Sequence, residues 1–134
     1  MNKNSSSDNE ILKKLLTLLT KKEELSEAAE NEIIAYFDSR GEKAAQILKE
    51  RKLHKIHLND KLAIWEVEGK SKNYIIIDNT FCECTDFQIR VLSREEKTLC
   101  YHLLAKIIGE KLELYNLKEI NDEEYNEMLL SRIK

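Results

Sequence analysis

The sequence predicts an α+β fold. Apolar residues recur at helical spacing up to about residue 52, the period then switches to that of strands, and a set of cysteines and a histidine follows the last strand. At 134 residues the chain fits one domain, with 42% hydrophobic residues to build a core and 35% charged residues to solvate its surface.

Residues 1–8 are polar and serine-rich and read as a disordered tail, with Ser7 or Asp8 placed to cap the first helix. From residue 9 to about 24, Ile11, Leu12, Leu15, Leu16, Leu18 and Leu19 form one apolar face opposite Lys13, Lys14 and Lys21, as an amphipathic helix requires. Ser26 and Glu27 open a second helix that carries Ile33, Ile34, Tyr36 and Phe37 and is expected to stop before Gly41. A third, short helix over Glu42 to Arg51 closes the helical region, residues 9–52. The segments Leu53–Leu58, Leu62–Glu68 and Tyr74–Asp78 are strand-like, and Asn59-Asp60-Lys61 and Gly69-Lys70-Ser71 separate them as turns. Residues 53–78 are therefore expected to form a three-stranded antiparallel meander. Residues 79–112 hold the Cys/His set and an amphipathic helix with Leu99, Leu103, Leu104, Ile107, Ile108 and Leu112 on its buried face. Residues 113–134 read as a helical tail opened by Asn121-Asp122-Glu123-Glu124. The whole of 9–134 is expected to be a single domain.

Cys82-Glu83-Cys84, fifteen residues, then Cys100-Tyr101-His102 use all three cysteines of the chain. Three thiolates and one imidazole at this spacing suit a tetrahedral Zn2+, which favours sulfur and nitrogen donors. Disulfides explain the set poorly, because three is an odd number and residues two apart meet disulfide geometry with difficulty. In extended backbone, residues i and i+2 share a side, so Cys82 and Cys84 are able to grip one ion while Glu83 faces away. On an ideal helix two such residues lie about 200° apart, so Cys100 is expected just before the helix and His102 in its first turn. Thr98 is a candidate cap, and Ser93-Arg94-Glu95-Glu96 reads as a capping box. With all four positions filled by side chains, no place is left for a catalytic water, and the chemistry reads as structural rather than enzymatic.

The net charge of −3 argues against wholesale nucleic-acid binding, so any such contact must use a local patch. Lys49, Arg51, Lys52, His54, Lys55 and His57 are one candidate patch, although a solvated edge is the blander account. Trp65 and Tyr74 could stack on bases but are more often core residues on such a meander. The first and last helices are either a partner surface or covers for the chain's own core, and exposed apolar area separates the two. No stretch approaches the length of a membrane span, so a soluble protein without membrane contact is expected. The N-terminus lacks a signal-like apolar run, which places the chain inside the cell, nuclear in a eukaryote or cytoplasmic in a prokaryote.

The motif Cys82-x-Cys84…Cys100-x-His102-x-x-Ala105 resembles the SWIM zinc finger. A short chain with N-terminal helices, a meander, the finger with Phe87 after its first ligand pair, and a helical tail is further similar to the SWIM subunits of Shu complexes. That resemblance implies Ala105 and Phe87 as structural supports of the motif. It also implies a non-enzymatic mediator of homologous recombination and DNA repair, without a small-molecule substrate. Such a mediator pairs with a RecA-like recombinase paralogue and promotes or stabilises recombinase filaments on single-stranded DNA. A stand-alone zinc module that binds nucleic acid directly is the alternative.

Overall fold

A computed structural model of the chain describes residues 3–58, 62–79, 81–84 and 99–131. Its elements run α1 (Lys3–Leu18), α2 (Glu27–Lys49), β1 (Leu53–Leu58), β2 (Leu62–Glu68), β3 (Asn73–Ile77), β4 (Phe81–Cys82), α3 (Tyr101–Leu112), β5 (Asn116–Ile120) and α4 (Asp122–Ser131). The expected α+β class and the meander are both present, within a larger sheet of order β4-β3-β2-β1-β5. Neighbours β1 to β4 are antiparallel, and β5 lies parallel to β1, with Ile56 opposite Lys118 and Leu58 opposite Ile120.

Alternation along the strands gives the sheet two buried faces. Leu53, Trp65, Val67 and Ile76 enter the main core with leucines of α1, α2 and α3, whereas Ile56, Ile64 and Ile75 form a small second cluster under Ile120, Tyr125 and Met128. The finger thus sits on the well-packed face. α4 covers the other, and its start is a reciprocal capping box: the Glu124 amide donates to Asn121 Oδ1 (2.8 Å) and the Asn121 amide to Glu124 Oε1 (3.1 Å).

Four expectations need correction. The N-terminal segment is not a tail: α1 starts at Lys3, and Asp8, buried in its middle, is held by Arg40 from the next helix, a contact that local composition does not encode. α1 also closes at Leu18 rather than near residue 24. The break between the second and third helices falls at Asp38 (φ 52°, ψ −126°), not at Gly41. Gly41 instead lets the two halves of α2 meet, because a Cβ there would stand 2.4 Å from the Ile33 carbonyl oxygen. The segment 113–134 is not all helical, since Asn116–Ile120 is a sheet edge.

Other local signals hold. Ser26 caps α2, its hydroxyl accepting from the Ala29 amide at 3.1 Å. Arg51 (φ 57°) ends that helix in a Schellman turn, with the Lys52 amide donating to Ile47 O at 3.0 Å. Glu113 (φ 57°) ends α3 in the same way through the Leu114 amide and Gly109 O (2.8 Å). Gly109 has a packing reason as well: a Cβ would lie 2.4 Å from Leu53 Cδ2, so α3 rests on β1 at that point.

Candidate metal centre

The ligands arrive on three pieces of backbone: the end of β4, the turn after it and the start of α3. Cys82 ends β4, paired with Ile76 of β3, so the sheet delivers the first thiol. The next residue anchors the exit. The Glu83 amide donates to Ile75 O (3.0 Å), while the Ile75 amide donates to the Glu83 carboxylate (2.8 Å). Glu83 therefore points away from the thiols, as expected, and its carboxylate stands in for a backbone carbonyl. That substitution keeps Ile75 satisfied while the chain turns toward Cys84.

Cys100 is the cap of α3. Its backbone is extended (φ −75°, ψ 162°), its sulfur accepts from the Leu103 amide at 3.4 Å, and its carbonyl accepts from the Leu104 amide at 3.0 Å. His102 lies in the first turn, as the spacing predicts. Thr98, the Ser93 capping box and Phe87 lie outside the described residues; Cys100 itself occupies the capping position. Ala105 is fully buried in the main core, three residues beyond His102.

The four side chains converge: one donor atom from each of Cys82, Cys84, Cys100 and His102 lies within 4.8 Å of the others, and all four residues are buried. A tetrahedral zinc with Zn–S bonds of about 2.3 Å would set sulfurs about 3.8 Å apart, so the cluster is of the right size. Two further observations fit a cation. His102 Nδ1 is buried without a hydrogen-bond partner among the described residues. The thiols oppose one another's ionisation. Hydrogen bonds with Cys100 and Cys84, and then burial, push the Cys82 thiol far up. At Cys100 the hydrogen bond with Cys82 pulls downward, but Cys84 and burial outweigh it and raise the thiol to about 12. Two thiols so raised, with a third beside them, ionise together only around a positive charge.

Residues to which sequence reading gave no role in the centre support it. Arg40 donates to Asp8 through Nη1 (2.9 Å) and Nη2 (3.1 Å) and to Leu99 O (2.8 Å), while the Leu99 amide donates to Asp8 Oδ2 (3.0 Å). Both polar groups of the residue before Cys100 are thus fixed by α1 and α2. Lys106, 4% exposed, donates to Asn79 Oδ1 (2.6 Å) and Glu110 Oε1 (2.8 Å) and lies over the Trp65 ring, tying α3 to the turn that leads into β4.

The other candidate residues divide. The basic patch around β1 is neutralised in part: Lys49 pairs with Glu30 (3.1 Å) and Lys52 with Glu50 (2.9 Å), while His54 bonds Glu68, Arg51 donates to the Glu23 backbone carbonyl (2.7 Å) and Lys55 lies over the Trp65 and Tyr115 rings. Trp65 is core, in edge contact with Tyr115, whereas Tyr74 is half-buried beside His102.

With this geometry in hand, comparison with known proteins finds a relative. The chain is 30% identical over 67 residues to the zinc finger SWIM domain-containing protein 7 homolog of Dictyostelium discoideum. It is a distant homologue of that protein. The match covers 48% of this chain and 43% of the relative, so the chain accounts for less than half of the relative's length. No family model matches the chain, and no solved structure matches it. The Cys3His cluster and this relative together support a zinc-finger module. Among the described residues, no helix is long and apolar enough to cross a membrane.

Proposed function

We propose that this chain is a non-enzymatic zinc-finger adaptor of homologous recombination and DNA repair. In this reading it pairs with a RecA-like recombinase paralogue, as Shu-type SWIM subunits do, and promotes or stabilises recombinase filaments on single-stranded DNA. The observation that carries the reading is the closed ligand set. Cys82, Cys84, Cys100 and His102 are all buried and mutually within reach, so Zn2+ would be saturated by side chains and would organise the fold rather than activate water. The SWIM zinc-finger relative adds support. Buried free thiols suit a reducing intracellular compartment, the nucleus in a eukaryote or the cytoplasm in a prokaryote.

For the partner surface the two terminal helices differ. α1 spends Leu12 and Leu15 on the main core, whereas α4 has no buried residue and leaves Leu129 and Leu130 exposed. We place the recombinase paralogue on α4. The test is co-purification: tagged, zinc-loaded protein is recovered from nuclease-treated extract of its own cells, and bound proteins are identified by mass spectrometry. A RecA-like ATPase in near-equal amount, lost in a Leu129→Arg/Leu130→Arg variant, is expected. Recovery of no stoichiometric protein would sink the adaptor reading.

A further inference from the structure

The two ring nitrogens of His102 stand in different surroundings. Among the described residues, Nδ1 is the one side-chain nitrogen or oxygen that is buried without a hydrogen-bond partner, in a residue that is 4% exposed overall. Nε2 is not enclosed in that way, and His102 forms part of the wall of a groove of about 630 Å³ that none of the three cysteines lines. Burying a polar nitrogen with nothing bonded to it is costly, and a cation on that side removes the cost.

Two tyrosines restrain the imidazole. The Tyr101 and His102 centroids are 4.1 Å apart with an interplanar angle of 34°, and those of Tyr74 and His102 are 4.7 Å apart at 36°. Both tyrosine rings are themselves held from outside the centre. Tyr74 lies on β3 opposite Val67, with Lys72 Nζ 5.2 Å from its ring centre, and Tyr101 opens α3 with Lys43 Nζ of α2 at the same distance from its own. Gly69 leaves room for Tyr74, because a Cβ there would stand 2.7 Å from Tyr74 Cε2. Rotating the imidazole by half a turn about its bond to Cβ exchanges Nδ1 for a carbon atom. The ring orientation that the tyrosines fix therefore decides which atom meets the thiols.

We propose that His102 offers Nδ1 to the zinc, and that Tyr74 and Tyr101 are the positioning residues that hold the imidazole in that orientation, with Nε2 and its proton turned to the groove. Metal-ligating histidines are usually oriented by their second nitrogen, which donates to a carboxylate or a backbone carbonyl. His102 makes no such bond among the described residues. Ring packing takes over that task here, and aromatic contacts of this kind contribute about 0.5–1.5 kcal/mol each beyond the area they bury. The inference rests on the zinc-finger reading of the centre and is independent of the adaptor role.

The test is NMR of the full chain, isotope-labelled in nitrogen and loaded with zinc or with a spin-active cadmium isotope. In a long-range proton–nitrogen correlation, Nε2 couples to both carbon-bound ring protons and Nδ1 strongly to Hε1 alone, so the two nitrogens are told apart. Cadmium is expected to split Nδ1 and to leave Nε2 protonated; splitting of Nε2 would overturn the assignment. Tyr74→Leu and Tyr101→Leu should each lower zinc affinity by about 10- to 100-fold in chelator competition and give His102 a second set of ring signals, whereas Tyr74→Phe and Tyr101→Phe, which keep the rings, should stay within about twofold. Leucine variants that lose stability but keep both zinc affinity and a single set of His102 signals would reduce the tyrosines to ordinary packing. Both tyrosines are half-exposed, so one leucine variant that folds is enough to decide their role. The donor atom has a second test in His102→Asp and His102→Glu, whose carboxylates reach as far from the backbone as Nδ1 and Nε2 respectively. The aspartate variant should hold zinc the more tightly, and the reverse order would count against Nδ1. A chain that takes up neither metal would sink the zinc-finger reading itself, an outcome distinct from coordination through the wrong nitrogen.

Discussion

Replacing Asp8 tests whether the first helix holds the metal centre in place. Asp8→Ala removes two hydrogen bonds from Arg40 and one from the Leu99 amide. The Arg40 side chain is 31% exposed and keeps its bond to Leu99 O, so water replaces part of what it loses, and its share of the ion pair is only about 1 kcal/mol or less. The part-buried Leu99 amide is harder to repair, and stranding such a donor costs about 1–3 kcal/mol. Together the loss should be about 1–4 kcal/mol in urea unfolding of the zinc-loaded protein. Leu99 precedes Cys100, so zinc affinity should fall as well, by about 10- to 100-fold, as when hydrogen bonds that orient metal ligands are removed. Competition with a chromophoric chelator reads that number. In a double-mutant cycle, Asp8→Ala and Arg40→Ala should couple by about 0.5–3 kcal/mol. A stability change under about 0.5 kcal/mol, or a destabilised variant with unaltered zinc affinity, would refute the link between α1 and the metal centre.

Cys84→Ser or His102→Ala should unfold the half of the chain around the finger, since structural zinc contributes about 10–16 kcal/mol of apparent binding against about 5–15 kcal/mol for a whole domain; circular dichroism of a normally folded variant would contradict this. Ala105→Leu should overpack the core beneath His102, lowering the urea midpoint by the equivalent of about 1–3 kcal/mol and weakening zinc, whereas a neutral result would make Ala105 an ordinary helix residue. Asp38→Gly should raise the urea midpoint, because a non-glycine residue at φ 52° costs about 1–3 kcal/mol, more than the about 0.5–1 kcal/mol of chain entropy that glycine adds to the unfolded state. In the folded population that zinc-stripped protein retains, the raised thiols add a contribution to stability that is present below pH 9.0, the ordinary thiol value, and lost as pH rises toward about 12 at Cys100, because the folded state holds its protons longer than the unfolded one. Zinc binding should run the other way, strengthening as pH rises and releasing protons that calorimetry in two buffers would count.

The features legible in the sequence were local. The cap at Ser26, the turn at Gly69 and the alternation through β1 to β3 are short-range signals, and each lies where expected. The metal set was legible for the same reason: its residue types are rare in this chain, and spacing alone limits how two pairs reach one ion. β5 was not legible. Its residues Asn116-Leu117-Lys118-Glu119-Ile120 include two charges and direct only Ile120 into a core, so neither composition nor period marks a strand; the parallel pairing with β1, across α3, creates it. The break in α2 was drawn to Gly41 by propensity, but the chain turns at Asp38 and uses the glycine for close approach. Locally Asp8 reads as a helix cap and Lys106 as a surface charge, and only tertiary contact reveals why both are buried.

Those two residues bear on what the metal does for the fold. Four ligands from a strand end, a turn and a helix cap would ordinarily be free to drift apart once their ion was gone. Here each is tied from outside the centre: Cys82 through the pairing with Ile76, the turn to Cys84 through Glu83 and Ile75, Cys100 through Leu99, Arg40 and Asp8, and α3 through Lys106 and Asn79. Such preorganisation reduces the ordering entropy that metal binding must overcome, and it transmits the state of the centre to α1, α2 and the sheet at once. Metal loss should therefore loosen contacts as distant in sequence as Asp8 and Leu99 together with the ligands.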